Sequence, residues 1–338
     1  MITLNEIKKI LNNNDPSFLE DLAQQAQMLT EQYFGRTITL YMPLYLSNYC
    51  SSHCTYCGFH SHHKIKRFKL TPDEIRREMA CISDKGIENI LLLTGESYQA
   101  TPLSYLKEAV LIAKEFFPNI ALEVHPMDEN DYKSLILAGV DGITIYQETY
   151  NKKRYQKVHL SGKKKNYDYR RETPKRAAKA GIRSLSLGIL LGLSDATKDL
   201  YELYKHLKEM EKNFPAVEYN LSFPRLRPIQ GKDFAICDVD DKTFIKIICL
   251  TRILFPRVGI NLSTRENARL RDNLLGLGIT RMSAESSTFV GGYAQKSLKN
   301  DTPQFDIKDS RSVKEIIQLL KKRQFDPVLT DWRRIETF

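Results

Sequence analysis

A chain of 338 residues, 42% hydrophobic and 27% charged, can bury a large core, enough for two average domains or one big α/β barrel. No run approaches the ~20 apolar residues that a bilayer-spanning helix requires, and no membrane partner is expected. The net charge of +10 admits nucleic acid as a partner. Much of that excess lies in residues 152–176, with KK, KKK and RR runs, a stretch that equally suits a solvated loop and helix face. RNA is therefore kept only as the runner-up partner.

The opening, MITLNEIKKILNNNDP, lacks the apolar core and small-residue cleavage site of a signal peptide, so a cytoplasmic, reducing compartment is expected. Phe18, Leu22, Ala26, Leu29 and Tyr33 then recur at helical spacing after Asp15-Pro16-Ser17, which predicts an amphipathic helix ended by Gly35. TITLYMPLYLS (37–47) is a β-rich apolar run leading straight into Cys50. TPDEIRREMACISDKG (71–86) opens with Thr71, Pro72 and Glu74, a capping box with Pro at the first helical position, and stops at Gly86.

From there the pattern alternates. Strand-like runs fall at 88–94, 120–124, 142–146, 183–192, 217–223, 259–263 and 279–283, and helix-like stretches near 102–117, 128–138, 173–181, 196–213, 240–255 and 267–276. With residues 37–47 these make eight β units separated by crossovers, an α/β pattern that argues for a parallel sheet closed into a (β/α)8 TIM-type barrel. A doubly wound open sheet is the alternative. The expected organisation is an N-terminal helical extension (1–36), the barrel (37–286) and a short C-terminal tail (287–338) packed on it. Active-site groups should then follow the strands: the cysteines, TGES, EVHPMD, YQETY, SFPRLRP, STRE and RMSAES.

Cys50, Cys54 and Cys57 are three of only six cysteines, at spacing C-x3-C-x2-C. In a reducing compartment such a cluster binds metal more often than it forms disulfides. A structural zinc site needs a fourth ligand, for which His53, His60, His62 or His63 would serve. An iron–sulfur cluster also takes thiolates, and three of them would leave one iron open. CSSHCTYC, of the form C-x3-C-x-aromatic-C after a first barrel strand, resembles the signature of the radical S-adenosylmethionine (SAM) superfamily. That resemblance implies that Cys50, Cys54 and Cys57 hold a [4Fe–4S] cluster whose open iron is chelated by SAM. It places Tyr56 against the adenine. Thr94-Gly95-Glu96 stands where the family has Gly-Gly-Glu and implies contact with the methionine ammonium. Glu123 is placed to bind ribose hydroxyls, with a strand-end polar group as the bland alternative.

SNYCSSHCTYCGF, ILLLTGE, LEVHPMDENDY, GVDGITIYQETYNKKRY, YDYRRETPKRAAKAGI, SFPRLRP, LSTREN, GITRMSA and QFDIKDSRSVKEII together look like the tyrosine lyases of thiamin biosynthesis, a family within that superfamily. The resemblance implies removal of hydrogen from the amino group of L-tyrosine and rupture of its Cα–Cβ bond, giving p-cresol and 2-iminoacetate. It also implies thiazole synthase as a partner and a flavodoxin- or ferredoxin-type electron donor. A lyase acting on tryptophan is the near alternative. A hydrogenase-maturation relative carries a second, Cys-rich cluster; no Cys follows Cys249, so that cluster finds no ligands in this sequence.

An amino-acid carboxylate calls for a bidentate arginine. Arg265 and Ser283 match the family's carboxylate pair. Arg225 and Arg227 come second, although two closely spaced arginines equally suit bracing the barrel mouth. Tyr146, Gln147 and Glu148 are expected to contact SAM or substrate. Arg171 is a candidate for the SAM carboxylate, a loop salt bridge being its other reading.

Overall fold

The computed structural model describes residues 2–227, 237–294 and 302–330; Pro228 of the SFPRLRP motif and the last eight residues of the tail lie outside the described residues. Eight parallel strands close on themselves: β1 (Thr37–Ser47), β2 (Asn89–Thr94), β3 (Asn119–Glu123), β4 (Gly142–Glu148), β5 (Ser184–Ile189), β6 (Glu218–Ser222), β7 (Gly259–Leu262) and β8 (Arg281–Ser283). Each pairs with the next, and β8 returns to β1 through Thr39↔Arg281, Leu40↔Met282 and Tyr41↔Ser283. The barrel expected from the alternation is present, and the open sheet is excluded. A short strand from the tail, β9 (Asp326–Val328), adds in parallel to the start of β1.

The two faces of each strand explain why the barrel has room for a site. Successive side chains point to opposite faces. Outward go Leu40, Met42, Leu44, Leu92, Leu122 and Leu187, all in one continuous buried core. That core is completed by Met79 and Ile82 of α3 (Pro72–Ser83), Leu106 of α4 (Leu103–Ala113), Leu135 of α5 (Glu129–Ala138), Leu203 of α9 (Ala196–Asn213) and Ile248 of α10 (Asp241–Leu254). Inward go Tyr41, Tyr45, Leu91, Leu93 and Tyr146 and, beside them, small polar groups that satisfy one another. Asn261 Nδ2 donates to Ser186 Oγ (2.9 Å) and Ser222 Oγ (3.0 Å), and Asn220 Nδ2 to Ser184 Oγ (3.1 Å). Bulky branched residues would normally fill such a barrel. Here the interior stays hollow.

Two helices precede the barrel, α1 (Leu4–Asn12) and α2 (Pro16–Phe34), the latter opened by Asp15 and Pro16 and closed by Gly35 as predicted. The buried stripe of α2 differs from the prediction: it runs Leu22, Ala26, Thr30, while Tyr33 is 39% exposed. Thr30 is tolerated inside because its hydroxyl donates to Ala26 O at 2.7 Å. This stripe packs on α10 with Cys249, which behaves as a small apolar group. Buried Lys246 of α10 donates to Asn13 O (3.0 Å) and Leu11 O, capping the last turn of α1 with a cation.

The basic stretch after β4 is more structured than a loop. It holds α6 (Lys152–Val158), α7 (Tyr167–Arg171) and α8 (Thr173–Lys179), the first two capped by the side chains of Asn151 and Asn166. Between α6 and α7, residues 159–161 pair antiparallel with His53–Cys54 and so tie the basic stretch to the cysteine loop. After β7 come α11 (Ala268–Asn273), shorter than expected, and α12 (Val313–Lys322), started by a Ser312/Glu315 capping box. Among the described residues, no helix is long and apolar enough to cross a membrane.

Candidate active site

The cysteine loop, residues 48–68, is closed by one side chain. The Arg67 guanidinium donates to the carbonyls of Asn48 (2.7 Å), Phe59 (2.8 Å), His60 (2.7 Å) and His63 (3.2 Å). The loop is laced to the end of β2: Gly95 N donates to Ser47 O (2.9 Å), and Ser51 N and Oγ donate to Glu96 O (3.0 and 2.8 Å). A Cβ on Gly95 would sit 2.3 Å from Tyr49 O, so this crossing admits only glycine.

The result is a cavity of about 980 Å³ lined by all three cysteines and by Tyr56, Thr94, Gly95, Glu96, Glu123, Tyr146 and Glu148. The thiols are free, and burial pushes Cys50 up to about 11 and Cys54 and Cys57 in the same direction. Alone they would keep their protons; ligation to iron displaces them. Among the described residues, no three His, Cys, Asp or Glu side chains converge on a single metal ion. A lone zinc ion is therefore a poor match, whereas a cuboidal cluster spreads its thiolates over separate irons. The same cavity carries a second sign of a ligand: Glu96 Oε2 is buried with no hydrogen-bond partner, an orphan acceptor suited to an ammonium. Tyr56 lies beside Leu190 and Leu226, an apolar slot for an aromatic base, with its hydroxyl 2.7 Å from His159 Nε2. His159 Nδ1 faces Tyr155 O at 2.9 Å, so that nitrogen carries the proton and Nε2 accepts from Tyr56.

Two cations in this cavity escaped sequence reasoning. Arg170 donates to Glu96 Oε1 (2.7 Å) and to Tyr146 O (2.6 Å); Lys164 Nζ lies 2.8 Å from Glu148 and 3.5 Å from Glu96. Burial opposes charge on Glu96 and Glu148, but Lys164 and Arg170 outweigh it and hold both carboxyls below their usual range. Arg171 does not reach the cavity. It pairs with Glu172 (2.9 Å) and Glu209 (3.2 Å), the salt-bridge reading. Gln147 is also misplaced by the prediction. Tyr146 and Glu148, two residues apart, both face the cavity as strand alternation dictates, and Gln147 between them is turned away to donate to Tyr167 O (3.4 Å).

Deeper in the barrel lies a second cavity of about 750 Å³, lined by Tyr41, Leu91, Phe223, Asn261, Arg265 and Ser283 among others. Tyr45, Glu123, Tyr146, Arg265, Gln304 and Phe305, with Leu93 and Pro224, line both cavities and form their common wall. Arg265 is held by stacking, its guanidinium carbon 3.3 Å from the Phe305 ring centre. Among the described residues it forms no ion pair, and burial lowers its pKa. Ser283 Oγ accepts from Thr264 N at 3.2 Å, which ties the end of β8 to the loop carrying Arg265. Arg225 and Arg227 take the bracing role. Arg225 grips Glu266 through Nε (3.0 Å) and Nη2 and also reaches Asp241 (2.8 Å); Arg227 donates to Glu266 (2.8 Å) and Arg265 O (3.0 Å). Of the two, only Arg227 lines the cluster-side cavity.

Comparison with known proteins gives a consistent picture. The radical SAM superfamily pattern matches residues 44–207, and that of the biotin and thiamin synthesis associated domain matches residues 222–326. The 2-iminoacetate synthase of Escherichia coli (strain K12) is 39% identical over 332 residues, covering 98% of this chain and 88% of that one. Among solved structures, the FeFe-hydrogenase maturase HydG from Carboxydothermus hydrogenoformans superposes with a TM-score of 0.89 at 33% identity, over 96% of this chain and 76% of that one. Methylornithine synthase (PylB), at 22% identity, shares the fold with a TM-score of 0.79.

Proposed function

The chain belongs to the radical SAM superfamily and within it to the 2-iminoacetate synthase family, and from that premise we propose that it cleaves the Cα–Cβ bond of L-tyrosine to 2-iminoacetate and p-cresol. One observation carries the reading: a half-buried arginine, Arg265, which forms no ion pair among the described residues, stands in the wall shared by a thiol-lined cavity and an aromatic-lined one. When bound at Cys50, Cys54 and Cys57, a [4Fe–4S] cluster with SAM supplies the 5′-deoxyadenosyl radical that abstracts hydrogen. The chain's own residues do the rest. Arg265, with Ser283, holds the substrate carboxylate in a fixed plane, so that the amino group and not Cα faces the common wall, a selection that depends on sub-ångström placement. Glu96 takes the methionine ammonium on its free oxygen, Tyr56 packs on adenine, and Glu123 accepts from the ribose hydroxyls. Phe223, Phe244 and Phe305 keep water from the breaking bond.

Arg170, in place of Arg171, is the cation nearest the amino-acid end of SAM. Its removal also strips Glu96 of a partner. Arg170→Ala is expected to weaken SAM binding about tenfold or more, and Arg171→Ala to change it by about twofold at most, as for a surface ion pair. Equilibrium binding of SAM to the two variants checks this, and the reverse ranking contradicts it.

Glu123 makes a pH prediction. Burial, reinforced by Glu148 and opposed by Arg265, raises its carboxyl to about 7. The ionised carboxylate accepts from the ribose hydroxyls more strongly than the neutral acid does. SAM affinity should therefore climb as pH rises through about 7 and level off above it, since below that point binding must expel a proton. Glu123→Gln should bind more weakly and without that pH step; a variant that keeps the step removes Glu123 from the account.

The imine product hydrolyses readily, so a thiazole synthase that receives it directly is the proposed partner. An acidic flavodoxin- or ferredoxin-type carrier is the proposed reductant, consistent with the +10 net charge. A cytoplasmic setting goes with both. The RNA reading loses Lys164 and Arg170, which turn inward to Glu96 and Glu148, and rests on the exposed Lys152, Lys153, Lys157, Lys163 and Lys165 alone. Anaerobically reconstituted protein given SAM, dithionite and L-tyrosine should release p-cresol. Release of 3-methylindolic acid from tryptophan instead would move the chain to the tryptophan-lyase reading.

A further inference from the structure

Residues 303–305, beyond the barrel, run between the cysteine loop and the loop after β7. Gln304 N donates to Thr288 O (3.0 Å), and Gln304 O accepts from Gly58 N (3.3 Å). A Cβ on Gly58 would lie 2.7 Å from Gln304 O and 2.8 Å from Pro303 O, so the two segments touch backbone to backbone one residue after Cys57. On the far side Phe305 O accepts from Thr288 Oγ1 (2.9 Å), and Lys308 N donates to Thr264 O (2.8 Å). The strap is pinned on both flanks.

This frame holds the Gln304 amide between the two cavities. Its Oε1 accepts from the Tyr45 hydroxyl at 2.7 Å, and its Nε2 lies 3.9 Å from Cys57 Sγ. Tyr45 is itself fixed, edge-on to Phe59 at 5.8 Å. The reversed amide would aim its oxygen at a thiolate, two electron-rich atoms in contact. Donation to sulfur is the arrangement that pairs both ends of the side chain.

We propose that Gln304 is a positioning residue for the cluster: its amide N–H donates to the Cys57 sulfur and raises the reduction potential, with Tyr45 fixing the amide from the substrate side. This rests on the reading of Cys50, Cys54 and Cys57 as cluster ligands. A hydrogen bond to a ligating sulfur draws off negative charge and so favours the reduced state, which carries one more electron.

The test is an EPR-monitored potentiometric titration of reconstituted protein, preceded by iron and sulfide analysis. An unsubstituted protein without the cluster overturns the ligand reading itself, and only a loaded protein addresses Gln304. Gln304→Leu should bind four irons and show a lower midpoint potential, about a fivefold loss in the reduced-to-oxidised ratio at a fixed potential, ~40 mV. Gln304→Glu, which exchanges the donor for a carboxylate, should move further in the same direction. Phe305→Leu, which alters the strap without touching sulfur, should leave the potential in place. An unchanged potential in loaded Gln304→Leu, or an equal fall in Phe305→Leu, overturns the proposal. If Gln304→Leu assembles no cluster, Gln304→Glu decides. If neither does, Tyr45→Phe, which frees the amide to turn, should lower the potential in the same direction, and an unchanged value there overturns the proposal.

Discussion

Cys54→Ala is expected to abolish iron incorporation and SAM cleavage together, to background, and Cys50→Ala and Cys57→Ala to do the same. The three thiols line one cavity, and Cys54 is only 4% exposed, so no outside ligand can take its place. A cluster short of a thiolate loses its protein anchor, and without the cluster nothing delivers an electron to SAM. The fold should survive, because the loop is held by Arg67 on four carbonyls and by Gly95 and Glu96, with the cysteines contributing little. Circular dichroism close to that of the unsubstituted protein, with iron absent, is the expected pair of results. Retained SAM cleavage in any of the three variants would contradict the assignment.

Arg265→Ala is expected to separate the two halves of the reaction. SAM cleavage should stay within about threefold, because the cluster-side contacts are untouched, while p-cresol falls on the order of 10²–10³-fold through loss of a bidentate, charge-assisted pair and of the substrate's orientation. The 5′-deoxyadenosine formed without p-cresol measures the uncoupling. Arg265→Lys should rescue poorly: an ammonium is a point charge that can neither stack flat on Phe305 nor fork to two carboxylate oxygens. Full tyrosine turnover in Arg265→Ala would transfer carboxylate recognition to another residue.

The barrel and the cluster were legible because their signals are local. Eight apolar runs alternate with crossovers, and the three cysteines fall within eight consecutive positions, so neither depends on distant contacts. Lys164 and Arg170 were invisible for the opposite reason. Within a run such as KKK a buried lysine looks like its solvated neighbours, and what distinguishes Lys164 is a pair of glutamates, Glu96 and Glu148, brought from two other strand ends. The confusion of Arg170 with Arg171 had a usable clue. Asn166 caps α7 and Tyr167 lies on its buried face, which marks the inward side of this turn as the place to look; spacing alone leaves both Arg170 and Arg171 near that face, and the pairing of Arg171 with Glu172 and Glu209 decides between them. Gln147 was legible: by two-residue alternation, with Tyr146 and Glu148 facing inward, the residue between them must face out. Gln304 opens the QFDIKDSRSVKEII segment, to which the resemblance assigned no role; only the path of the strap places it beside Cys57.

The origin of the abstracted hydrogen tests the account most directly, since the whole arrangement exists to present the amino group of a carboxylate-anchored amino acid to the cluster-side cavity. With ordinary L-tyrosine in heavy water, where the amino hydrogens exchange, the 5′-deoxyadenosine should carry deuterium. With Cα-deuterated tyrosine in ordinary water it should carry none. Label arriving from Cα instead would contradict the placement of tyrosine across the wall of Arg265, Tyr146 and Glu123.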